Sequence, residues 1–416
     1  MTTDGRFMSS AYRLPPGPLR SGGPEELAQA LQDSRRDTLA TFALFEAALS
    51  QHGLSVPYSP DLNPPLWELG HIGWFQDWWL ARNPHRDRGS AADPDVARRP
   101  SRWPGADSLL DSSRVPHASR WSLPLPDPQT LRQDLAEGLA DNLALLQGPQ
   151  ADPSDLYFHR LCLAHEDMHH EAAVYMAQAL GIALTDPRWQ CQPLPEPGLA
   201  ISLPTGGWRL GSTANDGFAF DNELGAHEVS LPAAAIDAQV LRWQDYLPFV
   251  EQGGYNQALW WPGPAGLWRQ AQTSATPRYL RRCAPENRWE RWCHGVWQTL
   301  DLTLPACHLT AFEAQAYCLW AGRRLPTEAE WERAAVTQVD HFAWGQVWEW
   351  TASTFEPYPG FVPHPYRDYS APWFGSRRVL RGASAATQPR LHHPRYRNFF
   401  TPERNDIFAG FRTCRA

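Results

Sequence analysis

Arg324-Leu325-Pro326-Thr327-Glu328-Ala329-Glu330-Trp331-Glu332 is the string whose reading decides the second half of this chain. Thr327 sits at an N-cap with Glu330 three residues later. That is a capping box, in which each side chain answers a backbone N–H at the other position. Upstream, Thr310 caps a helix that runs through Tyr317 and Trp320 to Gly322. Two helices with ends this well defined read as scaffold rather than catalysis. Around them Gly, Trp and Pro are scattered through short segments, with no simple repeat and no low-complexity tract. Further strings are Val347-Trp348-Glu349-Trp350-Thr351, Val379-Leu380-Arg381-Gly382, and a tail from Arg397-Asn398-Phe399-Phe400 to Gly410-Phe411-Arg412. The texture is that of an irregular α+β domain with much loop.

Working back, Pro195-Glu196-Pro197-Gly198 reads as a linker. Before it the periodicity is helical. Pro24-Glu25-Glu26 starts a first helix, with Leu27, Leu31, Phe42, Phe45 and Leu49 in phase. A second starts near Pro64-Pro65 and passes through Trp67, Leu69, His71, Trp74, Phe75 and Trp78. Residues 83–127 read as a long ordered crossover loop. A third helix spans about 128–147, with Leu131, Leu135, Leu139 and Leu143 on an i, i+4 stripe. A fourth spans about 153–181 and ends at Gly181, a natural C′ residue. Four helices with one long connection suggest a four-helix bundle. The expected division is a disordered segment 1–23, a helical domain 24–194 and an α+β domain 199–416.

Composition removes several classes. The chain has 416 residues, enough for two domains at roughly 100–200 residues each. Its hydrophobic fraction of 43% supports sizeable cores rather than disorder. Net charge is −8 with no basic run, which argues against a nucleic-acid or anionic-membrane surface. No stretch approaches the ~20 apolar residues a membrane helix needs. The polar, Pro/Gly-rich start has no apolar core of a secretory signal. Seven cysteines without a CxxC pair fit reduced, mostly buried thiols, so a cytoplasmic protein is expected. There is no Lys, so lysine Schiff-base or lysine general-base chemistry is closed to this chain. Chemistry must come from metal, His, Tyr, Asp or Arg.

The candidate chemistry lies in the helical half. His165-Glu166-Asp167-Met168-His169-His170-Glu171 places His165 and His169 one helical turn apart on one face, a spacing that lets two imidazoles hold one metal. A solvated polar face would read the same way. His71 weighs against that, because it stands in an otherwise apolar and aromatic segment. Read singly, such a His is a core residue; with an inward HxxxH on another helix it completes a three-histidine site. Neutral imidazoles suit zinc and iron alike.

These strings resemble known families. The stretch from Leu203-Pro204-Thr205-Gly206-Gly207-Trp208 to Gly410-Phe411-Arg412 resembles the sulfatase-modifying-factor (formylglycine-generating-enzyme-type, C-type-lectin-like) α+β domain, with the opening string as its hallmark. The first half resembles a DinB-like four-helix bundle. That order is the architecture of the EgtB family of non-haem iron enzymes. The resemblance implies Fe(2+) on His71, His165 and His169, with hercynine, O2 and a chalcogen donor meeting there and a bond forming at imidazole C2. It further implies an aromatic cage for a quaternary ammonium, for which Trp373, Phe374, Phe399 and Phe400 are candidates, and an imidazole contact from Asn398.

The chain departs from the sulfur enzymes in three places. Met168 stands where they commonly carry Gln. Gly382-Ala383-Ser384-Ala385 replaces Gly-Gly-Ser-Trp. The crossover segment, with donor-binding candidates Asp111, Arg114, Arg120 and Trp121, resembles instead the selenoneine synthase branch, SenA. The expectation is therefore an oxidoreductase joining hercynine to a selenosugar. The alternative is an ergothioneine-type sulfoxide synthase using γ-glutamylcysteine or cysteine. A zinc thiol transferase and a non-catalytic binding protein remain as other classes. Tyr358, Tyr366 and Tyr369 are candidates for the residue that manages protons at the metal. The partners expected are these small molecules, with no nucleic acid and no membrane.

Overall fold

A computed structural model of the chain describes residues 17–148, 156–284 and 286–415. They divide into two compact units. One holds residues up to Leu184 together with Pro363–Tyr369, and the other holds Thr185–Val362 and the chain from Ser370. The division thus falls at Leu184, before the expected linker, and the short segment Pro363–Tyr369 belongs with the helices rather than with its sequence neighbours. The expected disorder of residues 1–16 lies outside the described residues. Residues 17–23 depart from that expectation: Pro18–Ser21 forms α1, Leu19 is buried, and the backbone carbonyls of Leu19 and Gly22 accept from Arg160.

The helical unit contains α2 (Pro24–Leu49), α3 (Pro65–Gln76), α4 (Ala106–Leu110), α5 (Pro128–Leu146) and α6 (Tyr157–Leu180). α2 packs on α6 and α5, and α3 packs on α5 and α6. α3 is apolar nearly all round, and eleven of its residues are buried, so it is the central helix. It runs on into a π-helical turn, Asp77–Ala81. α6 stops at Gly181, whose φ of +70° is a left-handed cap that glycine adopts without steric cost.

α5 corrects the leucine stripe. Leu131 and Leu135 are buried, but Leu139 and Leu143 are only half-buried, and the covered positions become Gly138, Asn142 and Leu146. A strict four-residue step overshoots the 3.6-residue turn, so such a stripe slides round the helix away from its partner. The middle of the unit is polar. Arg35 on α2 donates to Glu166 through Nε (2.8 Å) and Nη2 (3.1 Å), and to Gln76 Oε1 (2.8 Å); Gln76 donates to Glu166 Oε2 (2.8 Å), and Asn142 donates to Gln76 (3.1 Å). One residue from each long helix enters this network, which fixes how α6 is rotated about its own axis.

The crossover segment contains α4 and two 3-10 turns, Arg86–Ala91 and His117–Trp121. Asp107 anchors it by accepting from Trp74 Nε1 (2.8 Å) and from both Arg82 terminal nitrogens (2.7 and 2.8 Å).

The second unit is α+β. One sheet has the order Ile201–Leu203, Ala234–Ile236, Cys414–Arg415, Arg323–Arg324, all antiparallel. Another has the order Asn398–Phe400, Arg378–Gly382, Trp348–Thr354, Ala409–Gly410, the last pair parallel. The Thr327 capping box is present and the Thr310 cap forms a box as well, with Glu313: each Thr accepts from the N–H three residues on, at the starts of α9 (Ala311–Trp320) and α10 (Glu328–Thr337). Two further helices, α7 (Trp243–Glu251) and α8 (Pro264–Ala271), were not legible in the pattern. α7 carries an internal Pro248, which reads as a breaker, and α8 is too short to show a period. Trp331 from the opening string is fully buried among Ile201, Leu203, Ile236, Phe342 and Cys414. Among the described residues no helix is long and apolar enough to cross a membrane, and all seven cysteines are free, four of them buried.

Candidate metal centre

The HxxxH spacing on α6 and the central position of α3 bring three imidazoles together. One ring nitrogen from each of His71, His165 and His169 lies within 4.8 Å of the others. The ring centroids are 5.0, 5.0 and 4.3 Å apart, and the Nε2 atoms of His165 and His169 are 3.1 Å apart. His71 and His165 are 2% exposed. His169 keeps 19% of its side chain exposed and is the open side of the site.

The outward nitrogens decide the inward ones. His71 Nδ1 donates to the Leu110 carbonyl at 2.7 Å, and His169 Nδ1 donates to Glu68. A carbonyl and a carboxylate only accept, so both Nδ1 atoms carry the proton and both Nε2 atoms present a lone pair. Burial raises the Glu68 carboxyl, but the His169 contact and the Asn63 hydrogen bond outweigh it and hold the group at about 2, so it is ionised. Burial pushes His71 down to about 3, with His169 adding to the effect, and drives His165 well below the usual imidazole value. Two buried imidazoles and one at the open side thus bring ring nitrogens within 4.8 Å of one another, those of His71 and His169 with lone pairs free for a cation. The donor set therefore fits a divalent metal, and an all-imidazole set of three suits iron or zinc with further positions left for ligands.

The walls are aromatic. Phe75 stacks on His165 at 3.5 Å, Trp67 stacks on His71 at 4.6 Å, and Trp74 flanks His71 at 5.6 Å. Tyr366 stands edge-on to Phe75 (5.0 Å) and 6.2 Å from the His165 ring. Of the three candidate tyrosines, it is the one that faces the triad. Burial first, then Asp368, pushes its hydroxyl above the ordinary phenol range, so it is protonated at neutral pH. Tyr369 donates to Met168 Sδ at 3.7 Å. Tyr358 lies in the other unit, donating to Glu328 (3.1 Å) under the Arg397 guanidinium (4.0 Å), a scaffold role.

The loop candidates separate likewise. Arg120 lies 4.0 Å over the Trp67 ring and donates to Asn63 Oδ1 (2.7 Å) and to the carbonyls of Ser112 (3.1 Å) and Val115 (3.2 Å). Asp111 is buried and accepts from Ser113 N at 3.0 Å and Oγ at 2.6 Å. Arg114 is exposed and pairs with Asp111 at 3.3 Å, while Trp121 donates to Val56 O at 3.0 Å. In the second unit Phe399 stacks on Phe355 (4.0 Å), which also meets Phe374 (4.8 Å). Trp373 and Phe400 already carry guanidinium groups over their rings, from Arg377 (4.8 Å) and Arg404 (5.1 Å). Asn398 Oδ1 accepts from Phe399 N at 2.9 Å.

Glu68 and Asn63 were not singled out from the sequence. Glu68 had a signal: a carboxylate three residues before His71 shares its helix face in an otherwise apolar segment. Asn63 had none: it precedes α3, and although Glu68 is five residues on, its other partner, Arg120, comes from the crossover segment.

Residues 190–346 and 343–416 match the sulfatase-modifying factor enzyme 1-like domain. Over nearly its full length the chain is similar to the hercynine oxygenase of Mycolicibacterium smegmatis, at 32% identity across 93% of this chain and 98% of that one. The hercynine oxygenase of Mycobacterium tuberculosis is 31% identical over 94% of this chain and 98% of its own. The formylglycine-generating enzyme of Streptomyces coelicolor is 25% identical over 51% of this chain and 87% of its own.

Proposed function

The chain belongs to the EgtB-like family, that of the hercynine oxygenases, and we propose that it is an iron(II)- and O2-dependent enzyme that joins a chalcogen to imidazole C2 of hercynine. The observation that carries this reading is the convergence of His71, His165 and His169, one ring nitrogen of each within 4.8 Å of the others, in a chain similar over 93% of its length to those oxygenases.

His71, His165 and His169 would hold the iron. When bound, Fe(II) supplies electrons to O2 and coordination positions for substrate. The remaining work falls to the protein. Leu110 O and Glu68 fix the tautomers of His71 and His169. Phe75, Trp67 and Trp74 exclude water from the imidazole faces. Tyr366, neutral and 6.2 Å ring to ring from His165, holds a proton at Oη for transfer near the metal. With a thiol donor the balance closes on one O2: the C2–H and S–H bonds give way to C–S, one oxygen enters the sulfoxide, and the other leaves as water.

The named relatives support a thiol donor, γ-glutamylcysteine or cysteine, as the first reading. A selenosugar donor is the second reading, favoured by Met168 at the position where sulfur enzymes commonly carry Gln. Here that side chain is a soft thioether hydrogen-bonded by Tyr369. The test is oxygen uptake by anaerobically iron-loaded protein given hercynine and each donor in turn, with products weighed by mass spectrometry. Hercynine-dependent uptake with a thiol adduct is expected. Uptake with the selenosugar alone selects the second reading. Tight zinc with no hercynine-dependent uptake for any donor overturns both.

A further inference from the structure

The three ligands are held in different ways. His71 is fixed by a backbone carbonyl and His165 by a stacked ring, but His169, the most exposed of them, is fixed by a side chain, Glu68. That carboxylate has a second oxygen, and Asn63 Nδ2 donates to it at 2.5 Å. The Asn63 oxygen in turn accepts from Arg120 at 2.7 Å. The polarity of this chain allows one arrangement. Arg120 can only donate and Glu68 can only accept, so the residue between them must accept at one end and donate at the other, as an amide does. Arg120 is itself tied to Ser112 and Val115, in the crossover segment.

We propose that Glu68 is a positioning residue of the metal site, and that Asn63 and Arg120 lock it, so that the 111–121 segment is hydrogen-bonded through to ligand His169. The idea rests on the three-histidine site being a metal site. It adds that the geometry of His169 depends on a loop that does not touch the metal. Removing an outer partner of a metal-bound His typically costs about 10- to 100-fold in metal affinity. Movement of Arg120 when a ligand engages the loop would reach His169 by this route, without any backbone rearrangement.

The test uses the full chain and Co(II) as a spectroscopic probe, with no hercynine and no O2. Glu68→Ala is expected to weaken Co(II) binding by about 10-fold or more, with Glu68→Gln retaining part of the affinity. Asn63→Asp keeps the size and the Arg120 contact but sets an acceptor against Glu68. It is expected to weaken Co(II) several-fold, and to have no further effect in the Glu68→Ala background, because the two act along one chain. The thermal midpoint of the metal-free variants separates this from simple misfolding. Wild-type affinity in Glu68→Ala, or an Asn63→Asp effect that persists unchanged without Glu68, overturns the proposal while leaving the metal site standing. A His165→Ala variant that binds Co(II) as well as wild type takes down both.

Discussion

Each unit buries charge, and the two do it to opposite ends. In the α+β unit the buried carboxylates are answered by protein. Glu349 accepts from Arg412 Nε and Nη2 (2.5 and 2.7 Å) and from Trp331 Nε1 (2.8 Å), and Glu328 accepts from Tyr358, Arg381 and Arg397. In the helical unit the Arg35–Glu166–Gln76 network is answered in the same way. Beside Glu166 on α6, however, His165 turns a ring nitrogen toward those of His169 and His71, all within 4.8 Å of one another. Satisfied polar burial specifies a fold; polar burial that converges on a shared gap specifies a ligand. The motif strings that identify the α+β unit, Leu325-Pro326-Thr327-Glu328 and Trp348-Glu349-Trp350, belong to the first kind. They name a scaffold and leave the chemistry to the other unit.

The contrast can be broken most forcefully at Arg412. Arg412→Ala leaves the Glu349 charge buried without its partner, so we expect a loss of about 3–5 kcal/mol in denaturant unfolding. Metal affinity of the folded fraction should be unchanged. A drop in metal affinity with intact stability would erase the distinction between the two kinds of burial.

Within the helical unit, Leu135→Ala should cost about 2–5 kcal/mol, against about 1 kcal/mol or less for Leu139→Ala. Urea unfolding of the pair measures this, and equal losses would restore the simple leucine stripe.

Acid sharpens the comparison next. Burial holds His308 at about 3, and His159 and His392 at about 4, against 6.5 in the unfolded chain. Between those values the unfolded chain binds protons that the folded chain refuses, so stability is full above 6.5 and falls as pH drops. The slope is about 1.4 kcal/mol per pH unit for each such His. His308 has φ +61°, which Asn tolerates, so His308→Asn should flatten the slope by one His equivalent. An unchanged slope would remove His308 from the account.

The smallest effect belongs to the caps. Thr327→Ala should cost about 1 kcal/mol, read from the thermal midpoint.

These cases also mark what was legible. The Thr310 cap and the Thr327 capping box are short-range chemistry, and the i, i+4 pair on α6 is helix geometry, so both could be read from spacing alone. His71 stood out because its neighbours are apolar. The hydrogen-bond chain from Arg120 to Glu68 was not legible, since Arg120 reaches Asn63 only after the crossover segment folds against the start of α3. Nor was the choice of Tyr366 over Tyr358. Both follow Phe355 within a dozen residues, yet only Pro363–Tyr369 joins the helical unit. α7 hid behind Pro248, and the hydrophobic spacing of α2 gave no sign that Ser34, Arg35, Thr38 and Thr41 are buried.

Anaerobic titration of the metal-free protein with Fe(II), followed by oxygen uptake on adding hercynine, tests the central claim most directly. The account predicts about one equivalent of iron per chain, with both iron binding and hercynine-dependent uptake lost in His165→Ala. Iron held equally well by His165→Ala, or iron bound with no hercynine-dependent uptake for any donor, would contradict it.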